Sequence, residues 1–348
     1  PMRKSLCYII LLLFIASCGK DKAPDLPTGN GVYIVNEGNF NFGTAEISFY
    51  NTTTNEVTNG LFNAANNYML GDVAQSMYVK DSTGFIVVNN SAKVEVVRLP
   101  SLTRLQTITI PNSSPRSFLP VNDSIALVTE LYARKIWVVN YITGAVVNHI
   151  TTQGWTEDML VIGADVFVQQ KINRTLSNTF ATIHKVNIAN YTATAHAGNF
   201  TGRDVNGMVK DKYNRIWVAV DEDTAAHQPA GFYCFNTSLT EVKSFFYTGY
   251  GHHPSRLCVN PAGDRLYFTD GSVYSFSPDD SEVPVMPLIS ADNRNIYSMA
   301  VNPASGDIYL SDALDFVQQS VVYRYDKNGN LLHSFTAGVI SGNFAFYE

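Results

Sequence analysis

From Gly31 onward the chain alternates short bursts of β-branched, aromatic and aliphatic residues with clusters of Gly, Asn, Asp, Ser and Thr. Apolar positions at helical spacing are almost absent, so the pattern predicts strands and turns. Seven bursts share one form, in which a small or polar residue leads into a short apolar strand. They are Gly31–Val35, Gly84–Val88, Ser124–Val128, Asp165–Val168, Arg215–Val218, Arg265–Phe268 and Asp307–Leu310. Their spacing of 40 to 53 residues matches one four-stranded propeller blade per repeat.

Flanking signals support that period. Each burst is followed by a second strand, such as Lys93–Val97, Lys135–Val139 or Val321–Tyr325. Turns led by Asn51, Asn140, Asn236 and Asp326 then introduce a further one, because Asn and Asp side chains cap their own backbone and tolerate left-handed geometry. Six bursts are preceded by another short strand, for example Ser76–Val79, Gly207–Val209 or Ser298–Val301. The first burst has no such predecessor, and the C-terminal segment Gly342–Glu348 has the character to supply it. The expectation is an all-β chain, a seven-bladed β-propeller of four-stranded antiparallel blades. Its ring is closed by the C-terminal strand completing blade 1, which also removes exposed sheet edges.

The N-terminus reads differently. Arg3 and Lys4 precede an apolar run from Leu6 to Ala16, too short for the roughly 20 residues that span a bilayer. With Ser17-Cys18-Gly19 behind it, the segment reads as a signal peptide over residues 1–17. Ile15-Ala16-Ser17-Cys18 resembles a bacterial lipobox, which makes Cys18 the lipid attachment site. Residues 18–30 form a polar tether rich in helix breakers, and 31–348 the propeller.

Composition then sets bounds. Hydrophobic residues make up 45% and aromatics 12%, enough for a packed core in one large domain. The net charge of −6 and the lack of a basic stripe exclude a nucleic-acid partner. Cys7 leaves with the leader and Cys18 carries lipid, so Cys234 and Cys258 remain. Both lie inside apparent strands and read as two buried free thiols.

The two faces of the disc differ. Loops joining first to second and third to fourth strands are tight, as at Lys80–Thr83, Val121–Asp123, Asn260–Asp264 and Asn302–Asp307. Loops joining second to third strands, and blade to blade, are long and chemically loaded. Function concentrates on loops held by a rigid scaffold, so that face is the expected ligand site. Its aromatic surfaces are Phe40, Phe42, Tyr68, Tyr132, Trp155 and Tyr250; its polar groups are Asn36, Asn39, Asn90, Arg134, Gln169, Arg203 and His252. Such a mixture suits a large, flat, amide-rich ligand or a sugar, with apolar planes stacking while amides fix orientation.

Other motifs carry less. His252-His253 lacks a third metal ligand at recognisable spacing, and Asp221-Glu222-Asp223 lacks the pattern of a calcium loop. No Gly-x-Ser-x-Gly elbow, phosphate loop or His-Glu-x-x-His occurs, and neither a catalytic residue, a metal nor a cofactor is expected.

Gly31–Phe40, Gly71-Asp72-Val73 and Val87–Val94 resemble the propeller lipoproteins of Bacteroidetes in the YncE-like, DUF5074 group. Some members of that group capture cobalamin at the cell surface and hand it to a TonB-dependent outer-membrane transporter; others have no assigned ligand. The resemblance implies an outer-membrane, surface-exposed lipoprotein that binds a small-molecule nutrient, cobalamin or another corrinoid, and passes it to such a transporter. Two alternatives stand beside it: a calcium-dependent propeller hydrolase or lactonase recruiting Glu37, Asn206 and Asp270, and a non-catalytic protein-interaction scaffold.

Overall fold

The structure is a computed structural model that describes residues 27, 29–173, 177–196 and 200–348. The leader, Cys18 and nearly all of the tether lie outside the described residues. From Gly31 the chain forms seven antiparallel sheets. Their innermost strands are Ser341–Tyr347, Ala74–Lys80, Pro115–Pro120, Trp155–Ile162, Val205–Lys210, Ser255–Val259 and Ile296–Val301. Each of these strands packs against the next, and Ile296–Val301 against Ser341–Tyr347, so the seven close into a ring. The seven bursts read from the sequence are all second strands.

Blade 1 is assembled from both ends of the chain. Ser341–Tyr347 pairs antiparallel with Gly31–Asn36, with Tyr33 opposite Ala345. Both faces of a second strand are covered by neighbouring blades, and Gly31–Asn36 is buried at every position. Such two-sided burial explains the continuous apolar runs. The Asn and Asp turns form as expected: Asn140 Oδ1 accepts from the Ile142 and Thr143 amides at 3.0 Å, and Asp326 Oδ1 from Asn328 and Asn330 at 2.8 and 2.9 Å.

Blade 6 departs from the four-strand expectation. It holds three strands, ending with Ser272–Phe276, and beyond them only Ile289 bridges Val273. Pro278, Pro284 and Pro287 lie in the intervening segment. Proline lacks the amide that a ladder needs, so no fourth strand propagates there. The thiols are free as expected, but Cys258 is only partly buried, unlike Cys234. Cys258 sits on an innermost strand facing the axis, and first-strand residues border the channel.

Aromatic packing joins the blades. Phe232 of blade 5 lies 4.7 Å from Phe268 and 4.9 Å from Phe276 of blade 6, and burying each such ring contributes about 1.5–3 kcal/mol. Where the ring closes, apolar packing such as Tyr50 on Phe335 at 4.3 Å is joined by a buried polar network. Ser341 N–H donates to Ser320 Oγ at 3.0 Å, its carbonyl accepts from Ser298 and Ser311 hydroxyls at 2.8 and 2.6 Å, and its Oγ donates to Asn36 Oδ1 at 2.7 Å. Asn36 Oδ1 also accepts from Gly338 N–H at 3.0 Å, and Asn36 Nδ2 donates to Ser48 Oγ at 2.8 Å.

Asn36 is fully buried, so Asn36→Ala orphans several groups at once. The expected loss is about 2–4 kcal/mol of unfolding free energy, measurable by chemical denaturation. A loss below about 0.5 kcal/mol would show that this joint does not hold the ring.

Candidate functional site

In all seven innermost strands the pairing with the second strand slips near the loop-rich face. The breaks fall at Ala74/Ser76, Pro115/Phe118, Thr156/Met159, Val205/Met208, Ser255/Cys258 and Ile296/Ser298, and between Asn343 and Ser341 against Val35/Asn36. A bulge re-aims side chains out of the alternating pattern. The residues set free occupy equivalent positions around the axis: Gln75, Arg116, Glu157, Asn206, Arg256, Tyr297 and Gly342. The last has no side chain, and a Cβ there would fall 2.2 Å from Glu37 Oε1. Glu37, from the adjoining loop, thus fills the seventh place.

Below this ring opens an axial cavity of about 550 Å³, whose wall includes Arg116, Trp155, Asp158, Gln169, Lys171 and Arg256. A second cavity of about 340 Å³ continues along the axis and shares Asp158, Leu257 and Asn343 with the first. Gly207, at φ +143°, keeps the strands of blades 5 and 6 close, because a Cβ would meet Leu257 N at 2.9 Å.

Most charges in the well are paired. Arg116 makes a forked contact with Glu157, Nε to Oε2 at 2.9 Å and Nη2 to Oε1 at 3.0 Å, and donates to Gln75 Oε1 at 2.5 Å. The Trp155 indole N–H also donates to Glu157, and its ring lies 5.2 Å from the Arg116 guanidinium and 5.3 Å from Lys171 Nζ. Lys171 donates to Asn206 Oδ1 at 2.8 Å and Asn206 to Asp221 Oδ1 at 2.6 Å. Tyr297 donates to Glu37 Oε1 at 3.0 Å. Burial raises the Glu37 carboxyl, and that hydrogen bond opposes the rise.

Three polar groups on the wall stand apart. Asp158 makes no hydrogen bond or ion pair among the described residues. Asp158 is exposed to the channel, yet the crowding of protein around its carboxyl, then repulsion from Glu157, pushes it up to about 6. Arg256, in left-handed backbone geometry at φ 52°, has no anionic partner among the described residues; its guanidinium lies 5.4 Å from the Tyr297 ring. Gln169 is almost fully buried. Its Nε2 donates to the Val205 carbonyl, while Oε1 is left without a partner.

Of the residues expected from sequence, Trp155 and Gln169 come together in the well. Arg203 does not: it is a buried strut that donates to the carbonyls of Asp221 and Pro229 and to the Tyr233 hydroxyl. Asn36 belongs to the closing joint. His252 turns outward, its Nδ1 2.7 Å from Asp270 Oδ2 and its ring stacked on Tyr247 at 3.8 Å, while His253 borders the well.

Asn39 and Asn90 brace loops, through the Phe316 carbonyl at 2.8 Å and Asp72 Oδ2. Phe40, Phe42, Tyr132 and Tyr250 are exposed on that face, Arg134 sits on an exposed turn, and Tyr68 packs edge-on against Phe62. Glu37, Asn206 and Asp270 are each engaged separately, and among the described residues no three His, Cys, Asp or Glu side chains gather to hold a metal ion.

Sequence reading missed Arg116, Glu157, Asp158, Lys171, Arg256 and Tyr297. The available signal was weak: polar pairs such as Glu157-Asp158 interrupt an otherwise apolar inner strand.

Fold and site together define a seven-bladed β-propeller with a polar axial well. The model of the domain of unknown function DUF5074 matches residues 30–339, and the chain belongs to that family. Solved structures agree on the fold at low identity. A quinonprotein alcohol dehydrogenase-like protein from Bacteroides thetaiotaomicron superposes with a TM-score of 0.70 at 13% identity, over 91% of this chain and 78% of that one. Hydrazine synthase from Kuenenia stuttgartiensis gives 0.60 at 13%, over 88% and 98%. Virginiamycin B lyase from Staphylococcus aureus gives 0.59 at 12%, over 75% and 83%. No curated protein matches the chain.

The Asp158 shift carries a sign. Its carboxyl titrates near 6 in the fold against an ordinary 3.8, so the fold favours the protonated form. That contribution is complete below the ordinary value and is lost as pH rises through about 6. Asp158→Asn is therefore expected to be more stable than the parent at pH 7.5, on the order of 1 kcal/mol once solvent screening in the open channel is allowed for. The gap should close near pH 4, and denaturant unfolding at both pH values would show it. A less stable variant at pH 7.5 would contradict the assigned environment.

Proposed function

We propose that this protein is a non-catalytic binding protein that captures a small nutrient at the loop-rich mouth of its axial channel. The observation that supports this most is the set of three unpartnered polar groups, Asp158, Gln169 Oε1 and Arg256, around one cavity of about 550 Å³. That volume falls within the range of small-molecule sites. Gln169 Oε1, enclosed and without a partner, costs about 1–3 kcal/mol, which a donor on the ligand recovers, whereas Asp158 and Arg256 are open to the channel and available to charged groups.

The family resemblance makes cobalamin the first named ligand to test. A corrinoid is too broad to enter the well and would lie across its mouth, on the face that carries exposed Phe40, Phe42, Tyr132 and Tyr250. Lipidation at Cys18, display on the outer face of the outer membrane and delivery to a TonB-dependent transporter complete the reading. Geometry adds an orientation to it. Thr52 N–H donates to the Asn30 carbonyl at 3.3 Å, so the described chain starts on the tight-turn face. A flexible tether joined there would leave the well free to face away from the lipid anchor.

Calorimetry of the soluble domain with cyanocobalamin is expected to give saturable heat and a change in Trp155 fluorescence; no heat at micromolar protein sinks the corrinoid. Cys18→Ala in the full chain is expected to shift the protein from the membrane to the soluble fraction and to abolish fatty-acid labelling. Retention of label in that variant would refute the anchor.

A further inference from the structure

Three cations and several carboxylates meet in the well, yet their pairing leaves a specific remainder. Arg116 is matched by Glu157, Lys171 by Asn206 and by Asp204 at 3.5 Å, and Glu37 by Tyr297. What remains is one guanidinium, Arg256, one carboxyl, Asp158, and one amide oxygen, Gln169 Oε1. A guanidinium presents a planar fork of donors and selects a carboxylate. A carboxylate beside an amide oxygen offers acceptors alone and selects a group with several N–H donors, and an ammonium has three.

The two halves stand on separate blades. Asp158 projects from blade 4 and Arg256 from blade 6, and the intervening blade 5 places Gly207 at the position matching Asp158. From blade 5 the side chain that reaches the ring between them is Asn206, which is already held by Lys171 and Asp221. Trp155 supplies flat apolar surface on the wall, and the Tyr297 ring backs the Arg256 guanidinium at 5.4 Å.

We propose that the axial well recognises a zwitterion of amino-acid or short-peptide size, with its carboxylate on Arg256 and its ammonium on Asp158 and the Gln169 carbonyl. This rests on the reading of the well as a binding site and names the ligand class. A dicarboxylate would meet Asp158, and a simple amine would meet Arg256; one ligand carrying both charges satisfies each without net charge transfer into the well. The cavity of about 550 Å³ leaves room for a side chain or a second residue.

The test uses the intact soluble domain, thermal-shift screening and calorimetry. Probes are the free L-amino acids and a set of alanyl dipeptides, each beside its N-acetylated and C-amidated forms, with cyanocobalamin as a separate arm. At least one free member is expected to bind, and blocking either end to weaken it about tenfold or more. Arg256→Gln and Asp158→Asn should weaken the free form similarly, and Arg256→Lys less. The blocked ligands on the unaltered protein keep the test valid if a variant misfolds. Blocked forms that bind as well as free ones, or cyanocobalamin binding alone, overturn the zwitterion and leave the binding reading standing. If no member of any arm binds, both fall.

Discussion

Seven wedge-shaped sheets share one axis only if the ring closes, and closure here depends on a pairing between the two ends of the chain. Ser341–Tyr347 must find Gly31–Asn36 across the whole sequence, a contact that carries the largest loop-closure entropy in the fold. Hydrophobic burial alone does not set its register, because a slip by one residue exchanges the faces of the strand. Buried hydrogen bonds through Asn36, Ser298, Ser311 and Ser341 do, since each has a partner in one register only. On the opposite face Arg324 ties Asp307 of blade 7 to the Thr52 carbonyl of blade 1.

The same closure makes the site. Inner strands crowd near the axis, and a regular ladder there would point alternate side chains into neighbouring blades. The bulge in each strand relieves that and frees one residue per blade toward the channel. Polar character at those positions costs little stability, because solvent reaches them along the axis. Pairing among Arg116, Glu157, Lys171, Asn206 and Asp221 then holds the wall rigid. Gly342 and Glu37 show how local the adjustment is: one blade gives up its side chain, and a loop carboxylate takes the place. Asp158 and Arg256 are left unmatched within this otherwise paired wall.

Membership of the DUF5074 family and the likeness to structures of differently named proteins support the architecture and leave chemistry to the site. Blade 6 illustrates how that scaffold tolerates loss. Three strands suffice there because Phe268 and Phe276 are packed against Phe232 from blade 5, and prolines keep the outer edge from pairing onward.

Much of the architecture was legible in one dimension. Strand bursts, a 40-to-53-residue period, Asn-led turns and a first blade lacking a strand are local or nearly local signals, and each maps onto the structure. The site was legible only in part. Trp155 and Gln169 were found because their loops are conspicuous, whereas Arg203 looks like a ligand donor in sequence and becomes a strut once three acceptors surround it. Arg116, Asp158 and Arg256 carry no local mark of function. Strand alternation predicts the direction of a side chain only while the ladder is regular, and the bulges break it. Which residues face the axis, which of their charges find partners and which are left over was therefore decided by how seven strands from distant parts of the chain meet around one channel.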